Sequence, residues 1–413
     1  MTNEPHDADA TPDALIRLLG VGKTYPDGTV AVERLDLDVR RGELLALVGP
    51  SGCGKSTILR MVNRLIEPTS GRIVIDGDDV TDVDPVKLRR RIGYVIQASG
   101  LFPHQKVRQN VMTVPTLLGW DKAKARTRAD EMLELVGLDP KDYADRYPSE
   151  LSGGQQQRVG VARALCADPD VLLMDEPFGA VDPIQRDRLQ EQFHTIQTTL
   201  GKTVLLVTHD VDEAIRLADR IAVLSVGGHL EQVASPVEVL GSPATDFVAQ
   251  FVGSDRGLRR LAVTPIEEGD LEHPPTVTHT ASLADARAVV ARSPEPYAVV
   301  VDDRGDLRGW VGERELRDLD GQAQTAVAAR LRRFESTVDV GDSLRRALAE
   351  IVQYDAGWLP VVDGDRFLGV LTPTSVYAAL RRATPAPAEA ARPSDETPHQ
   401  VSITEGRAHE GDR

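Results

Sequence analysis

The chain has 413 residues, 41% hydrophobic and 27% charged, an ordinary globular composition on a length too great for one hydrophobic core. A net charge of −16 disfavours nucleic acid or anionic lipid as the main partner, though not a small local basic site. Two cysteines, Cys53 and Cys166, make neither a disulfide framework nor a metal-ligand spacing and suit a reducing cytoplasm. The polar N-terminus is unlike a signal peptide, and no apolar run is long enough to cross a bilayer. The expectation is a soluble protein that reaches a membrane only through a partner.

In chain order, residues 1–13 read as a disordered tail. From Leu15 the pattern is strand-like, and Val32 to Val39 alternates apolar and polar residues as a half-exposed strand does. ELLALVG (Glu43 to Gly49) is a continuous apolar run ending in glycine, as expected of a buried strand feeding a loop. The later runs RIVIDG, IGYVIQ, VLLMDE, TVLLVTHD and RIAVLSV repeat that pattern, mostly with helical stretches between them. Such alternation predicts an α/β domain over 14–252 with a largely parallel sheet. Residues 98–167 break the rhythm and read as an inserted helical subdomain, with an amphipathic run from Lys122 to Val136. GSDRGLRR places a linker at 253–261.

The remainder holds a weak internal repeat, with Ser282 aligning to Ser343 and Val301 to Val362 at an offset of 61. The copies span 262–318 and 325–383, each predicted as helix, strand, Asp/Gly turn, strand, helix, and the second loses one residue in its turn. Residues 384–413 are rich in Pro and Ala and mildly acidic, so a disordered acidic tail is expected. KLRRR (Lys87 to Arg91) reads as a solvated or interface helix end.

Gly49, Pro50, Ser51, Gly52, Cys53, Gly54, Lys55, Ser56 and Thr57 match G-x-x-x-x-G-K-[ST] between a buried strand and a helix. The glycines let backbone N–H groups close on phosphates, Lys55 reaches the β/γ oxygens, and Ser56 can ligate Mg²⁺. Cys53 reads as a small space-filling residue. VLLMDEP ends a buried strand in two carboxylates with diverging side chains. Asp175 would hold Mg²⁺ through water, and Glu176 would orient or deprotonate the attacking water. His209 could bridge the γ-phosphate and Glu176, or be a structural histidine. Gln97 could touch Mg²⁺ or the attacking water. Tyr25 could stack on adenine or simply pack a turn. A second phosphate-friendly stretch, Ser152, Gly153, Gly154 and Gln155 in LSGGQ, opens a helix about a hundred residues later.

Together these residues resemble the nucleotide-binding subunit of ABC transporters, whose signature is LSGGQ. The resemblance covers about 15–252 and carries five motifs in order. It implies a P-loop NTPase fold, in which a RecA-like core carries a helical subdomain and an antiparallel β subdomain. It also implies a head-to-tail homodimer in which each ATP lies between one chain's phosphate loop and its partner's signature. Asp182 would lie in the loop that crosses the dimer interface, where Val181 replaces the family's more usual Leu. One nucleotide domain, with no coiled-coil arm, zinc-binding cysteines or fused membrane helices, fits the separate ATPase of an importer better than a repair, translation or exporter protein.

IGYVIQASGLFPHQKVRQNV, PTLLGW and DEPFGAVDPIQRDRLQEQF look like the ATPases of quaternary-amine importers for glycine betaine, carnitine, choline or proline. An importer of another small solute, and a non-transport ATPase, are the alternatives. The family implies a membrane permease docking around Gln97 to His104, an extracytoplasmic substrate-binding protein beyond it, and residence on the inner face of the cell membrane. The repeat resembles tandem CBS domains, an α+β module implying either a regulatory nucleotide or dimer stabilisation without ligand. Nucleoside-binding copies often keep a Thr and an Asp after the last strand, and here Gly312 and Glu315, then Thr372 and Ser375, occupy those positions.

Overall fold

The structure is a computed structural model that describes residues 13–96, 100–179, 181, 183–317, 319, 322–354 and 356–382. The expected tails fall outside these residues, apart from Asp13. The chain opens with β1 (Ala14–Thr24), β2 (Val30–Arg40), β3 (Leu44–Val48), α1 (Lys55–Val62), β4 (Ser70–Ile75) and β5 (Asp78–Asp79). It continues through α2 (Pro85–Arg91), β6 (Ile92–Val95), α3 (Val107–Val111), α4 (Thr113–Leu117), α5 (Lys122–Leu135), α6 (Pro140–Tyr143) and α7 (Gly153–Leu165). Next come β7 (Val171–Asp175), α8 (Pro183–Leu200), β8 (Thr203–Val207), α9 (Val211–Leu217), β9 (Arg220–Ser225) and β10 (His229–Ala234). Then follow α10 (Pro236–Gly241), α11 (Asp246–Val252) and α12 (Arg256–Val263).

The central sheet has the order β10-β9-β3-β8-β7-β6, parallel throughout except where β10 runs antiparallel to β9. Residues of β3 alternate between two cores, as strand geometry requires. Leu44, Ala46 and Val48 join the core under the helical subdomain. Leu45 and Leu47 join the core formed with α1 and a second, antiparallel sheet of order β2-β1-β4-β5. Both faces are covered, so β3, β7 and β8 are buried along their whole length. RIVIDG therefore contributes to the antiparallel sheet, as β4, rather than to the parallel one. In the helical subdomain, Asp121 caps α5 by accepting from the N–H groups of Ala123 and Lys124. Buried Ala125, Ala129, Met132 and Leu133 then follow at helical spacing.

The repeat forms two three-stranded sheets. The first comprises β11 (Thr276–Thr278), β12 (Tyr297–Val301) and β13 (Leu307–Gly312), with helices α13 (Leu283–Val290) and α14 (Glu313–Leu316). The second comprises β14 (Val338–Asp339), β15 (Leu359–Asp363) and β16 (Arg366–Leu371), with α15 (Leu344–Gln353) and α16 (Pro373–Arg382). Ser282 and Ser343 each cap the first helix of their copy. The short strands β11 and β14 were not among the expected elements, being too brief to show alternation.

The two copies also exchange their leading segments. Ile266 N–H donates to the Asp342 carbonyl at 2.8 Å and Leu344 N–H to Thr264 at 2.9 Å, so residues leading into the first copy pair with the second. Leu283 N–H donates to Thr325 at 2.9 Å and Val327 N–H to Ala281 at 2.8 Å, returning the exchange. The expected linker at 253–261 is mostly the packed helix α12, with Leu261 buried in the second copy's core. Leu258, Leu261 and Ala262 recur at helical spacing, but over so short a run, set among Arg256, Arg259 and Arg260, the pattern reads as a linker until its tertiary contacts are placed.

Tyr297 and Trp358, repeat-equivalent positions, stack at 4.1 Å between ring centroids and 3° between planes. Trp310 and Phe334 pack edge-on against the Trp358 ring. Removing the Trp358 ring by Trp358→Ala is expected to cost about 3 kcal/mol. Urea unfolding followed by tryptophan fluorescence in chains that also carry Trp120→Phe, which leaves Trp310 as the reporter in the variant, checks this; an unchanged midpoint would show that the stack does not hold the copies together.

Candidate functional site

The loop from Gly49 to Gly54 joins buried β3 to α1. Gly49 has φ +154°, and a Cβ there would lie 2.2 Å from the Leu224 carbonyl oxygen. Gly54 has φ +98°, and its Cβ would lie 2.5 Å from the Ala31 oxygen. Side chains are excluded at both positions, which leaves the backbone N–H groups free to face a ligand. α1 begins without a side-chain cap, so its first N–H groups are available to an anion. Lys55, buried at the helix start, donates Nζ to the carbonyls of Gly49 at 2.7 Å and Pro50 at 3.0 Å. Ser51 and Gly52 are exposed on the loop, whereas Cys53 is fully buried beneath it. The Tyr25 hydroxyl lies 3.4 Å from Thr57 Oγ1, which brings its half-buried ring beside the start of α1.

Val171 and Leu173 of β7 belong to the core on the α1 side of the sheet. By strand alternation Asp175 faces that side too, and Ser56 Oγ donates to its Oδ1 at 3.0 Å. Burial pushes the Asp175 carboxyl up, and the Ser56 hydroxyl opposes the shift. Glu176 then leaves the strand with φ +47°, in the left-handed region that non-glycine residues rarely enter. Its N–H still donates to the Val207 carbonyl at 2.9 Å, which pins the turn to β8. Glu176 Oε1 lies 3.0 Å from Nδ1 of His209, whose side chain is 61% exposed.

His209 itself sits between two anchored residues. Thr208 N–H donates to the Leu47 carbonyl at 3.2 Å, and its hydroxyl donates to Glu213 Oε2 at 3.1 Å. Asp210 caps α9 by accepting from the N–H groups of Asp212 and Glu213. Arg186 donates Nη2 to the Val181 carbonyl at 3.0 Å and places Nη1 3.7 Å from Asp210 Oδ2. Sequence reasoning missed Thr208, Asp210, Glu213 and Arg186. The spacing D-x-x-E at 210–213 signals a helix start. Glu213 instead turns inward to Thr208, and only the fold reveals that.

Lys55, Ser56, Asp175, Glu176 and His209 thus lie along one end of the sheet. This group can cradle a triphosphate, hold a cation beside it and take a proton from an attacking water. Gln97 and Asp182 lie outside the described residues. The second stretch stands apart: Ser152 caps α7, accepting from Gln155 N–H at 3.3 Å while its own N–H donates to Gln155 Oε1 at 2.9 Å. Gln155 Nε2 donates to the Tyr143 hydroxyl at 3.3 Å, and Ser152 and Gly153 are exposed. In the repeat, Thr372 and Ser375 hydrogen-bond each other, and the Thr372 hydroxyl donates to Glu272 at 2.6 Å. Glu315 accepts from Gly312 N–H at 3.2 Å.

An ABC transporter family model matches residues 32–179, and a CBS domain model matches 269–320 and 332–382. The chain is 46% identical over 364 residues to the glycine betaine/carnitine/choline transport ATP-binding protein OpuCA of Bacillus subtilis, spanning 88% of this chain and 95% of that protein. It is 48% identical over 338 residues to the osmoprotectant import ATP-binding protein OsmV of Salmonella typhimurium, spanning 81% and 87%. Among solved structures, cbiO1 from Clostridium perfringens, part of the ABC transporter complex cbiONQ, matches with a TM-score of 0.52 and 30% identity. That match covers 56% of this chain and 92% of the other.

Burial pushes the Glu213 carboxyl from 4.5 up to about 7. Between those values the folded chain binds more protons than the unfolded one. This group's contribution to stability is therefore full below about pH 4.5 and lost as pH rises towards about 7. Glu213→Gln, a neutral isostere, is expected to flatten that fall in a plot of Tm against pH. An identical slope in the variant would remove Glu213 as its source.

Proposed function

The chain belongs to the ATP-binding subunits of ABC transporters, and from that premise we propose that it drives import of a quaternary ammonium osmoprotectant. Glycine betaine, choline, carnitine and proline are the expected cargoes, moved by a separate permease. The observation that carries the chemical reading is the Glu176–His209 hydrogen bond, placed beside a glycine-built phosphate loop. The names of OpuCA and OsmV support the cargo class.

In this mechanism the loop N–H groups and Lys55 bind the phosphates of ATP and neutralise their charge. Tyr25 stacks on the adenine. Glu176 accepts the proton of the water that attacks the γ-phosphate, and His209 orients the Glu176 carboxylate and senses the phosphate. Gln97 assists in positioning that water. Hydroxyl and carboxylate oxygens at 3.0 Å, with Asp175 largely buried, fit a hard divalent cation completed by phosphate and water oxygens. Ser56 and Asp175 are therefore assigned to Mg²⁺, joined by Gln97 on the family resemblance, and the ion would offset phosphate charge when bound.

Exposed Ser152 and Gly153, with Ser152 bonded among the described residues within its own subdomain, support a homodimer in which the signature closes on the partner's ATP. Asp182 is assigned to the same interface. Hydrolysis removes the bridging charge and reopens the dimer, supplying the stroke to the permease. No helix among the described residues is long and apolar enough to cross a membrane. The subunit is accordingly assigned to the inner face of the membrane through the permease, with a substrate-binding protein acting beyond it. The CBS pair is assigned to regulation. The hydroxyls of Thr372 and Ser375 support at most a weakened ribose contact, since no Asp follows them at that position.

Glu176→Gln is expected to retain ATP binding and lower turnover about a hundredfold or more. Uptake of labelled glycine betaine at high salt, with choline, carnitine and proline as competitors, reads the same variant in cells. Uptake that persists in the variant although its ATP turnover is lost would overturn the cargo assignment. Ser152→Arg is expected to abolish hydrolysis while the monomer still binds ATP; unchanged turnover would overturn the shared site.

A further inference from the structure

α12 is built into both parts of the chain. Its Leu261 is buried in the core of the second repeat, while Val263 packs against the core beneath the helical subdomain. Two adjacent arginines divide in the same way. Arg259 Nε lies 2.8 Å from Asp212 Oδ1 and its Nη2 3.3 Å from Oδ2, a bidentate grip, while Nη1 donates to the Val252 carbonyl at 2.5 Å. Arg260 turns the other way and donates Nη2 to the Leu380 carbonyl of α16 at 2.6 Å.

Asp212 lies in the first turn of α9, two residues after the Asp210 cap and three after His209. Beside α12 a groove of ≈ 1330 Å³ separates the two parts, between Asp187 and Arg216 on one wall and Arg345 and Val352 on the other. Among the described residues, α12 is the element packed both against α9 and α10 and against α15, so the parts are joined along a helix. Any tilt of the repeat module moves α12, and the fork on Asp212 passes that movement into the turn that carries His209.

We propose that α12 transmits the state of the repeat module to the ATPase site, with Arg259 as the positioning residue that holds His209 against Glu176 through Asp212. This rests on the ATPase reading above. The ion pair is partly exposed, with side chains 27% and 58% accessible, so its loss alters stability little and registers mainly in turnover.

The test uses the full chain. Arg259→Ala is expected to lower kcat about three- to tenfold with the KM for ATP unchanged. Arg259→Lys, which keeps the charge but loses the fork, recovers part of that loss. Arg260→Ala cuts the other end of the same path and lowers kcat in the same direction. The double variant is no slower than the more severe single one, because both substitutions break one connection. Wild-type kcat in Arg259→Ala, or additive losses in the double variant, overturns the proposal while leaving the ATPase reading intact. A wild-type chain that hydrolyses no ATP overturns both.

Discussion

Across the centre of the parallel sheet, Leu47 of β3, Val207 of β8 and Asp175 of β7 lie in one row. The phosphate loop, His209 and Glu176 all begin within two residues beyond it. Their convergence depends on the register of three strands buried on both faces, where lateral hydrogen bonds and apolar packing reinforce each other. A slip of one residue in β7 would turn Asp175 from the α1 side to the other core and separate it from Ser56. The chemistry is thus set by apolar residues that never touch a nucleotide.

The row also explains why the rare conformation at Glu176 can be sustained. Alternation alone would send its side chain to the face opposite Asp175. The left-handed turn redirects it to His209, and the hydrogen bond to Val207 holds the backbone there. Such a conformation costs about 1–3 kcal/mol and persists where the surroundings over-determine it. Here they do so from both sides, through the ladder behind Glu176 and through Thr208 and Asp210 around His209.

Much of this site was legible in the sequence because its parts are local. The phosphate loop is a fixed spacing of glycines before Lys55, and the paired acids announce themselves at the end of an apolar run. The inward turn of Glu213 was not legible, since its partner Thr208 competes with an ordinary cap for the same carboxylate. Nor was α12 as a packed element: its arginines suggest a solvated linker until Asp212 and Leu380 are placed opposite them. The repeat was visible as a period, but the crossing of its leading segments was not. Short strands of two or three residues carry no periodicity, and pairing between residues as far apart in sequence as Thr264 and Leu344 leaves no local trace.

That crossing gives the repeats an evolutionary consequence. With Thr264 and Ile266 seated in the second copy and Thr325 and Val327 in the first, neither copy is a self-sufficient module. A recombination joint placed between them would part each core from the crossing residues that complete it, Leu261 and Ile266 in one case and Val327 in the other. The portable unit is the whole pair with the helix that leads into it, so lineages can gain or shed this appendage in one event but cannot readily shuffle its halves.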